Sequence, residues 1–226
     1  MRHVLFGVLV AFILTCFIAW AALPFTDAFT ASDGTALATY NANWTVTAQS
    51  AGIYGNAVGC TSGASSCMAK DNSNTYSGNQ IAEGTILTPA ANYYAGVGIN
   101  IGTGDTGYGC RGDDNEFTFH RRGPTTLLWQ APSPTVQNGD VVRSWRDGNN
   151  VYCQLWRSGV LTYNSGAIND TTYTTGSPGF HGFGNTFNSA TTRLDDITLN
   201  DYTAGGATPI RRRPIMMFFT LPELSK

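Results

Sequence analysis

Two acidic residues near opposite ends of the chain lie among apolar residues, where a carboxylate is costly to bury. Asp27 lies in the segment FTDAF, at 25–29, and Asp195 lies in RLDDITL, at 193–199. Residues at a spacing of two share a face of a β-strand, so Asp27 should face the core with Phe25, and Asp195 with Ile197. A carboxylate in that position needs a cation or dense hydrogen bonding.

Calcium is the natural cation for such a pair, because it takes carboxylate and backbone carbonyl oxygens as ligands. We therefore predict a structural calcium that involves Asp27 and Asp195 and performs no chemistry. The alternative is that hydrogen bonds alone satisfy the carboxylate, with an aspartate capping a turn such as 31–34. The sequence leaves both interpretations open.

The first 22 residues have the pattern of an export signal. Arg2 and His3 precede an apolar run at 4–18, and Ala19-Trp20-Ala21 fits a signal-peptidase site. We predict cleavage after Ala21 or after the following alanine, and the alternative is an uncleaved membrane anchor. In either case the remaining chain lies outside the cytosol, secreted or displayed on a surface. After cleavage we expect no stable membrane insertion.

Removal of this leader leaves an even set of four cysteines, which predicts two disulfides in an oxidising compartment. Cys60 and Cys67 bracket a short Ser/Gly loop that closes easily. This favours pairing Cys60 with Cys67 and Cys110 with Cys153 over the two other connectivities. The chain contains no Cys-x-x-Cys motif, which argues against a zinc site.

The composition is typical of a secreted β-protein. Charged residues make up 12% of the chain, whereas a typical domain has about 25%. Helical periodicity is nearly absent after the leader, while short alternating runs interrupted by Gly, Asn and Asp recur along the domain. The net charge is −2 and the domain has no basic stripe, so we expect no nucleic-acid partner.

The clearest hairpin has a turn at 147–150 and a second turn at 158–159. If Cys153 and its alternate neighbours face the core, the residues between them face the opposite side. Aromatic rings beside polar groups are the usual makeup of a sugar site, so this face supplies the candidate glycan-binding residues Arg143, Trp145, Tyr152, Gln154 and Trp156. Alternatively, these aromatics only pair across strands or cover a small second core. The strand register that would decide whether the two half-sets meet is not evident from the sequence.

The segment GDVVRSWRDGNNVYCQLWRSGVL, at 139–161, followed by SPGFHGFG, at 177–184, resembles the central strands of laminin G-like, concanavalin A-type jelly rolls. The FTDAF and RLDDITL segments also resemble this superfamily, which includes laminarinase-type glycoside hydrolases. The resemblance implies an all-β fold, a two-sheet antiparallel jelly-roll β-sandwich whose concave front commonly binds glycans. Relatives often hold a structural calcium where the first and last strands meet. Asp27 and Asp195 match that position, with Asp196 as the substitute if the register is shifted by one residue.

Catalysis has less support in the sequence. Retaining glycosidases need two carboxylates about 5 Å apart. The three glutamates, Glu83, Glu116 and Glu223, show none of the Glu-x-Asp-x-Glu spacings that such relatives use. Asp114 and Glu116 could share a strand face, but they adjoin a turn and are better explained as a solvated strand end. The absence of a Gly-x-Ser-x-Gly elbow, with only two histidines after the leader, gives little scope for a nucleophile and base.

We therefore divide the chain into a leader at 1–22, a jelly-roll domain at 23–203, and a linker with a basic and apolar tail at 204–226. The tail is expected to dock on its own domain or on another copy. The predicted function is a secreted or surface-displayed, non-catalytic module that binds a glycan or cell-surface polysaccharide. The alternative is a structural, decoration or adhesion subunit of a virion or extracellular assembly. A glycoside hydrolase or lyase is the third hypothesis.

Overall fold

The computed structural model describes residues 24–61, 65–184 and 190–204, so the predicted leader and nearly all of the predicted tail lie outside the described residues. Within the described part, no helix is long and apolar enough to cross a membrane. The same part of the chain contains one short helix, α1 (Leu37–Tyr40), and these strands: β1 (Phe25–Asp27), β2 (Trp44–Ala48), β3 (Ala51–Ile53), β4 (Val58–Cys60), β5 (Ser65–Asp71), β6 (Gln80–Leu87), β7 (Tyr93–Ile101), β8 (Gly107–Gly112), β9 (Phe117–Arg122), β10 (Thr126–Gln130), β11 (Val141–Asp147), β12 (Asn150–Arg157), β13 (Val160–Asn164), β14 (Ile168–Asn169), β15 (Ser177–Gly184) and β16 (Arg193–Asp201).

The strands form two antiparallel sheets that pack face to face. One is nine-stranded, in the order β13-β12-β11-β6-β16-β4-β3, with β1 paired to β16 and β14 paired to β12. The other is seven-stranded, in the order β10-β9-β8-β7-β15-β5-β2. This architecture confirms the predicted two-sheet β-sandwich.

The core lies between the sheets and follows the alternation read from the sequence. On β12, Val151, Cys153 and Leu155 are fully buried, as are Phe117 and Phe119 on β9. Burying a Val, Leu or Phe side chain contributes about 1.5–3 kcal/mol relative to leaving it exposed, so alternating apolar residues are sufficient to fix which face of each strand turns inward. The intervening residues on β9 and β12 are thereby directed to the two outer faces.

Both predicted disulfides are confirmed, and each joins one sheet to the other. Cys60 at the end of β4 bonds to Cys67 on β5. Cys110 on β8 bonds to Cys153 on β12. The two sheets are therefore held together covalently as well as by the core.

The first and last strands pair as predicted, with Asp27 opposite Ile197, but the predicted alternation of β16 is wrong at Asp195. Asp195 lies opposite Thr85, and the register shifts before Thr198. Asp196 has a positive φ of 48°, which marks a β-bulge. The extra residue puts Asp195 out of phase with Ile197, so the two do not share a strand face.

Candidate functional site

The structure brings together the two halves of the predicted aromatic set. Arg143 lies opposite Gln154 and Trp145 opposite Tyr152, so β11 and β12 present them on one face. We call this the aromatic face; it lies on the outer side of the nine-stranded sheet and consists of Arg143, Trp145, Tyr152, Gln154 and Trp156.

Most contacts of the aromatic face are internal. The rings of Trp145 and Tyr152 stack with centroids 4.5 Å apart and planes 3° from parallel. The Arg143 guanidinium lies 5.2 Å from the centroid of the Trp156 ring, and its Nε donates to Glu83 over 2.6 Å. Trp156 Nε1 donates to Gln154 Oε1 over 3.0 Å. Side chains on one face of a sheet form such contacts on their own, across neighbouring strands or along one strand, so ring faces and polar groups are largely engaged before any ligand arrives.

A second polar face lies on the outer side of the seven-stranded sheet. Because Phe117 and Phe119 turn into the core, the alternate residues of β9 turn outward. The pairing register then sets Thr118 opposite Arg111 on β8. Two further outward residues of β9 are His120 and Arg122.

Glycine on β7 lets side chains from two other strands meet. Arg111 lies opposite Gly96 on β7, and Gly96 lies opposite His181 on β15. Because Gly96 has no side chain, Arg111 and His181 face each other across it. The imidazole of His181 reaches over to Gly109 on β8, which is also the residue opposite His120. The two histidines and Arg111 therefore form one cluster.

The outer side of the seven-stranded sheet is a concave hollow, as the contacts of Asp105 show. Asp105 Oδ1 accepts from Ser66 on β5 over 3.0 Å and from Nε of Arg122 on β9 over 3.1 Å. Three strands separate β5 from β9, so a flat sheet would hold them roughly 19 Å apart. One carboxylate oxygen and these two side chains cannot span that distance, so the sheet curls around the cluster.

Arg111 lies at the centre of this hollow between two aromatic rings. Its guanidinium carbon is 5.0 Å from the centroid of Tyr94 and 4.7 Å from that of Phe183. The Tyr94 hydroxyl donates to Glu116 over 2.6 Å. Only 5% of Arg111 is exposed, whereas Tyr94, Phe183 and His120 are partly exposed and form the rim. We call this region the Arg111 hollow.

Polar atoms of the Arg111 hollow are buried without hydrogen-bond partners among the residues that the structure describes. They are Nε and Nη1 of Arg111, Oγ1 of Thr118, and Nδ1 of both His120 and His181. Leaving one buried polar group unpaired typically costs about 1–3 kcal/mol, and more for a charged group. Such atoms in a concave face are available to hydrogen-bond a ligand or bound water molecules.

The electrostatics of the hollow are those of crowded cations. Burial and then the charge of Arg122 lower the pKa of Arg111 to about 10. Burial and then the charges of Arg111 and Arg122 lower the pKa of His120 to about 4. The pKa of the fully buried His181 is lowered for the same reasons. Both imidazoles are therefore neutral at neutral pH, and each can donate or accept through its free Nδ1.

Sequence reasoning missed the Arg111 hollow, although a signal was present. The alternation that identified Phe117 and Phe119 as core residues also places His120 and Arg122 outward. Gly96 and Gly98 of β7 and Gly109 of β8 lie on the same outer face and form its floor.

The structure places Asp27 in a dense hydrogen-bond network. Its carboxylate accepts from the Phe29 backbone at 2.9 Å, Tyr40 Oη at 2.7 Å, Asn41 Nδ2 at 3.2 Å and Trp44 Nε1 at 2.9 Å. Four donors occupy the lone pairs that a cation would need. Asp27 does not fit the role of a calcium ligand, and hydrogen bonding accounts for its burial.

Asp195 fits a cation better. Its Oδ1 atom is buried without a hydrogen-bond partner among the described residues. Burial, with the neighbouring charges of Asp196 and Asp27, raises the pKa of Asp195 to about 6. Calcium takes six to eight oxygen ligands, and no group of three or more His, Cys, Asp or Glu residues is arranged for a metal in the described ranges.

The carboxylates that might serve catalysis are engaged or isolated. Glu83 forms an ion pair with Arg143 at 2.5 Å, and Glu116 accepts from Tyr94. Asp114 is exposed at the turn before β9. None of these contacts resembles a general acid facing a nucleophile.

No protein-family model matches the sequence, and no curated protein matches it in sequence. Solved structures do match. The Bacillus subtilis carbohydrate-binding module CBM66 has a TM-score of 0.54 at 12% identity, over 70% of this chain and 96% of that module. The CBM2 module of the evolved Dit of Lactobacillus casei BL23 phage J-1 has a TM-score of 0.50 at 11% identity, over 79% and 96%.

A third match is the exoplasmic/lumenal domain of VIP36 in its Ca2+/Man2-bound form. Its TM-score is 0.50 at 7% identity, over 80% of this chain and 88% of that domain. At such identities the likeness concerns the fold. Together with the sheet order, it establishes that this chain folds as a concanavalin A-like jelly roll.

Proposed function

We propose that this protein is a secreted or surface-displayed, non-catalytic module that binds carbohydrate in the Arg111 hollow. The observation that carries the proposal is Arg111 itself, a buried guanidinium flanked by Tyr94 and Phe183 with two N–H groups unpaired. Sugar sites combine aromatic rings with a few fixed polar groups, and this hollow has both.

Two further observations support the proposal. Solved structures that share the fold include a module whose name describes carbohydrate binding and a VIP36 domain in its Ca2+/Man2-bound form. Two disulfides between the sheets suit an extracellular protein. The aromatic face is the alternative site for the same function. That its residues bind a glycan remains a prediction.

A glycan array on the full chain, with and without calcium, tests the function, and paired variants locate the site. We expect selective binding that is lost in Tyr94→Ala, which removes one ring over Arg111. Trp145→Ala serves as the counterpart on the opposite sheet. Loss of binding in Trp145→Ala alone would move the site to the aromatic face. A folded protein that binds no glycan would contradict the proposed function.

The second candidate function is a structural or decoration subunit, for which exposed apolar residues on edge strands are the specific observation. Val160 and Leu161 on β13 are 68% and 39% exposed, and Leu127 on β10 is 50% exposed. Light scattering tests it: self-association that Val160→Lys abolishes would favour assembly through this edge. Self-association that persists in Val160→Lys but disappears when residues after 207 are deleted would favour assembly through the predicted tail.

A structural calcium remains part of the proposal, with a different pair of ligands from the one predicted from the sequence. We assign it to Asp195 and Asp196, whose carboxylates adjoin the bulge of β16, and no longer to Asp27. The ion would neutralise the buried Oδ1 of Asp195 and stabilise the junction of the first and last strands. Hydrolysis or elimination of a polysaccharide is the third hypothesis, and no acid–nucleophile pair in the described residues favours it.

A further inference from the structure

The Arg111 hollow contains a buried guanidinium that forms an ion pair with neither of its own carboxylates. Its carboxylates are both engaged, Asp105 by Arg122 and Ser66, and Glu116 by the Tyr94 hydroxyl. Arg111 has no ion pair with any described residue.

Burial makes the missing hydrogen-bond partners of Arg111 significant. A guanidinium that is 5% exposed is costly unless hydrogen bonds or a counter-charge replace the water it has lost. Tyr94 and Phe183 supply cation–π contacts, but their ring faces do not satisfy the N–H groups. Nε and Nη1 of Arg111 therefore still lack an acceptor among the described residues.

A neutral sugar is a poor partner for the unpaired N–H groups of Arg111. Its hydroxyl groups both donate and accept, and they bring no charge to Arg111. A carboxylate or a sulfate ester only accepts, and charge-assisted hydrogen bonds to guanidinium are roughly twice as strong as neutral ones. The Nδ1 atoms of His120 and His181 can donate to the same group when they carry the proton.

From these contacts we infer that the Arg111 hollow recognises an acidic sugar, through a carboxylate or sulfate group that pairs with Arg111 and lies within reach of His120 and His181. The inference rests on the proposed carbohydrate-binding function and names the class of ligand for that site. Tyr94 and Phe183 at the rim would contact the sugar ring that carries the acidic group.

The direct test is a titration of the full chain with sugar probes, in which calorimetry measures the affinity and NMR monitors the signal of the Arg111 Nε–H group. The probes are a galacturonate trisaccharide, its neutral methyl ester, a sulfated galactan trisaccharide and its desulfated form. We expect one acidic probe to shift the Arg111 signal and to bind at least tenfold more tightly than its neutral counterpart. The carboxylated and sulfated arms distinguish the two sources of negative charge.

Four variants control the result. Arg111→Met should lower the affinity for the acidic probe at least tenfold. Arg111→Lys, which keeps the charge but loses the planar group, should retain part of it. Arg157→Met removes an arginine on β12, in the sheet opposite the hollow, where it pairs with Asp140; this variant should bind as the wild type does. His120→Gln, at the partly exposed rim, provides a second test if the buried Arg111 variants do not fold.

Each outcome has a definite meaning. Equal affinity for acidic and neutral probes, lost in Tyr94→Ala, would overturn the acidic-sugar inference and leave the carbohydrate-binding function intact. Binding of inorganic sulfate alone, with no sugar probe bound, would overturn both. Tight binding of the acidic probe that is unchanged in both Arg111→Met and His120→Gln would overturn the assignment to this hollow.

Discussion

The imidazole of His181 occupies the space that a side chain at Gly109 would need. A Cβ built on Gly109 would overlap Nδ1 of His181, and the three nearest atoms all belong to that ring. Gly109→Ala should therefore push His181 out of place and destabilise the fold by about 1–3 kcal/mol, as overpacking does. Chemical denaturation measures this loss.

A double-mutant cycle tests the cause of that loss. In a His181→Ala background the overlap disappears, so Gly109→Ala should cost at least about 1 kcal/mol less than it does in the wild type. Equal costs in both backgrounds would show that Gly109 is required for a reason other than the approach of His181.

The two disulfides should differ in their contribution to stability. Cys110 and Cys153 are 43 residues apart in sequence, and Cys60 and Cys67 only 7. From loop-closure entropy, replacing both cysteines by alanine should cost about 4 kcal/mol for the long loop and about 2 kcal/mol for the short one. Denaturant unfolding of the two variants, with the midpoint and the m-value fitted for each, shows which variant loses more free energy of unfolding. The reverse order would mean that native-state contacts, not loop length, determine the effect.

Asp27 and Asp195 should respond differently to calcium. Asp27→Ala leaves Tyr40 and Trp44 without their acceptor and should cost at least about 3 kcal/mol whether or not calcium is present. Calcium should raise the melting temperature of the wild type and have no effect on Asp195→Asn. A melting temperature that neither calcium nor a chelator changes in the wild type would contradict the calcium assignment.

The histidines of the Arg111 hollow should make the fold sensitive to acid. The pKa of His120 is about 4 in the folded protein, against an ordinary 6.5, and that of His181 is also lowered. Between these values the unfolded chain binds protons that the folded protein does not. The free energy of unfolding therefore falls as the pH drops from about 6.5 towards about 4.

Asp195 acts in the opposite direction over much of this range, because its pKa is raised to about 6. The informative quantity is therefore the difference between the wild type and His120→Gln. Denaturation at about pH 7 and about pH 5 should show a smaller loss of stability on acidification in His120→Gln. Identical losses would indicate that His120 titrates normally.

The sequence was sufficient to predict the sandwich because alternation, turns and cysteines are local or nearly local signals. The hairpin around 147–150, the pairing of β1 with β16 and both disulfides are confirmed. The bulge at Asp196 was not predictable, because one extra residue in a strand leaves no mark on composition and yet reverses the alternation beyond it.

The site was harder to predict than the fold, since it depends on curvature. Trp145 and Tyr152 were predicted as candidate glycan-binding residues because they are aromatic residues on a recognisable hairpin, and the strand register does bring them together. Arg111 and His120 lie on the consecutive strands β8 and β9, but His181 lies on β15, far along the chain. Their meeting requires the sheet order and the curl that Asp105 reveals.

The bond between Cys110 and Cys153 has a practical consequence for any study of binding. Arg111 directly follows Cys110, so this bond ties the strand that carries the guanidinium to β12 in the opposite sheet. Protein produced in a reducing cytosol would lack the tether and hold Arg111 by strand pairing alone. The free-thiol content of a preparation is therefore the first quality check, and an oxidising expression route is the appropriate source of material for ligand screens.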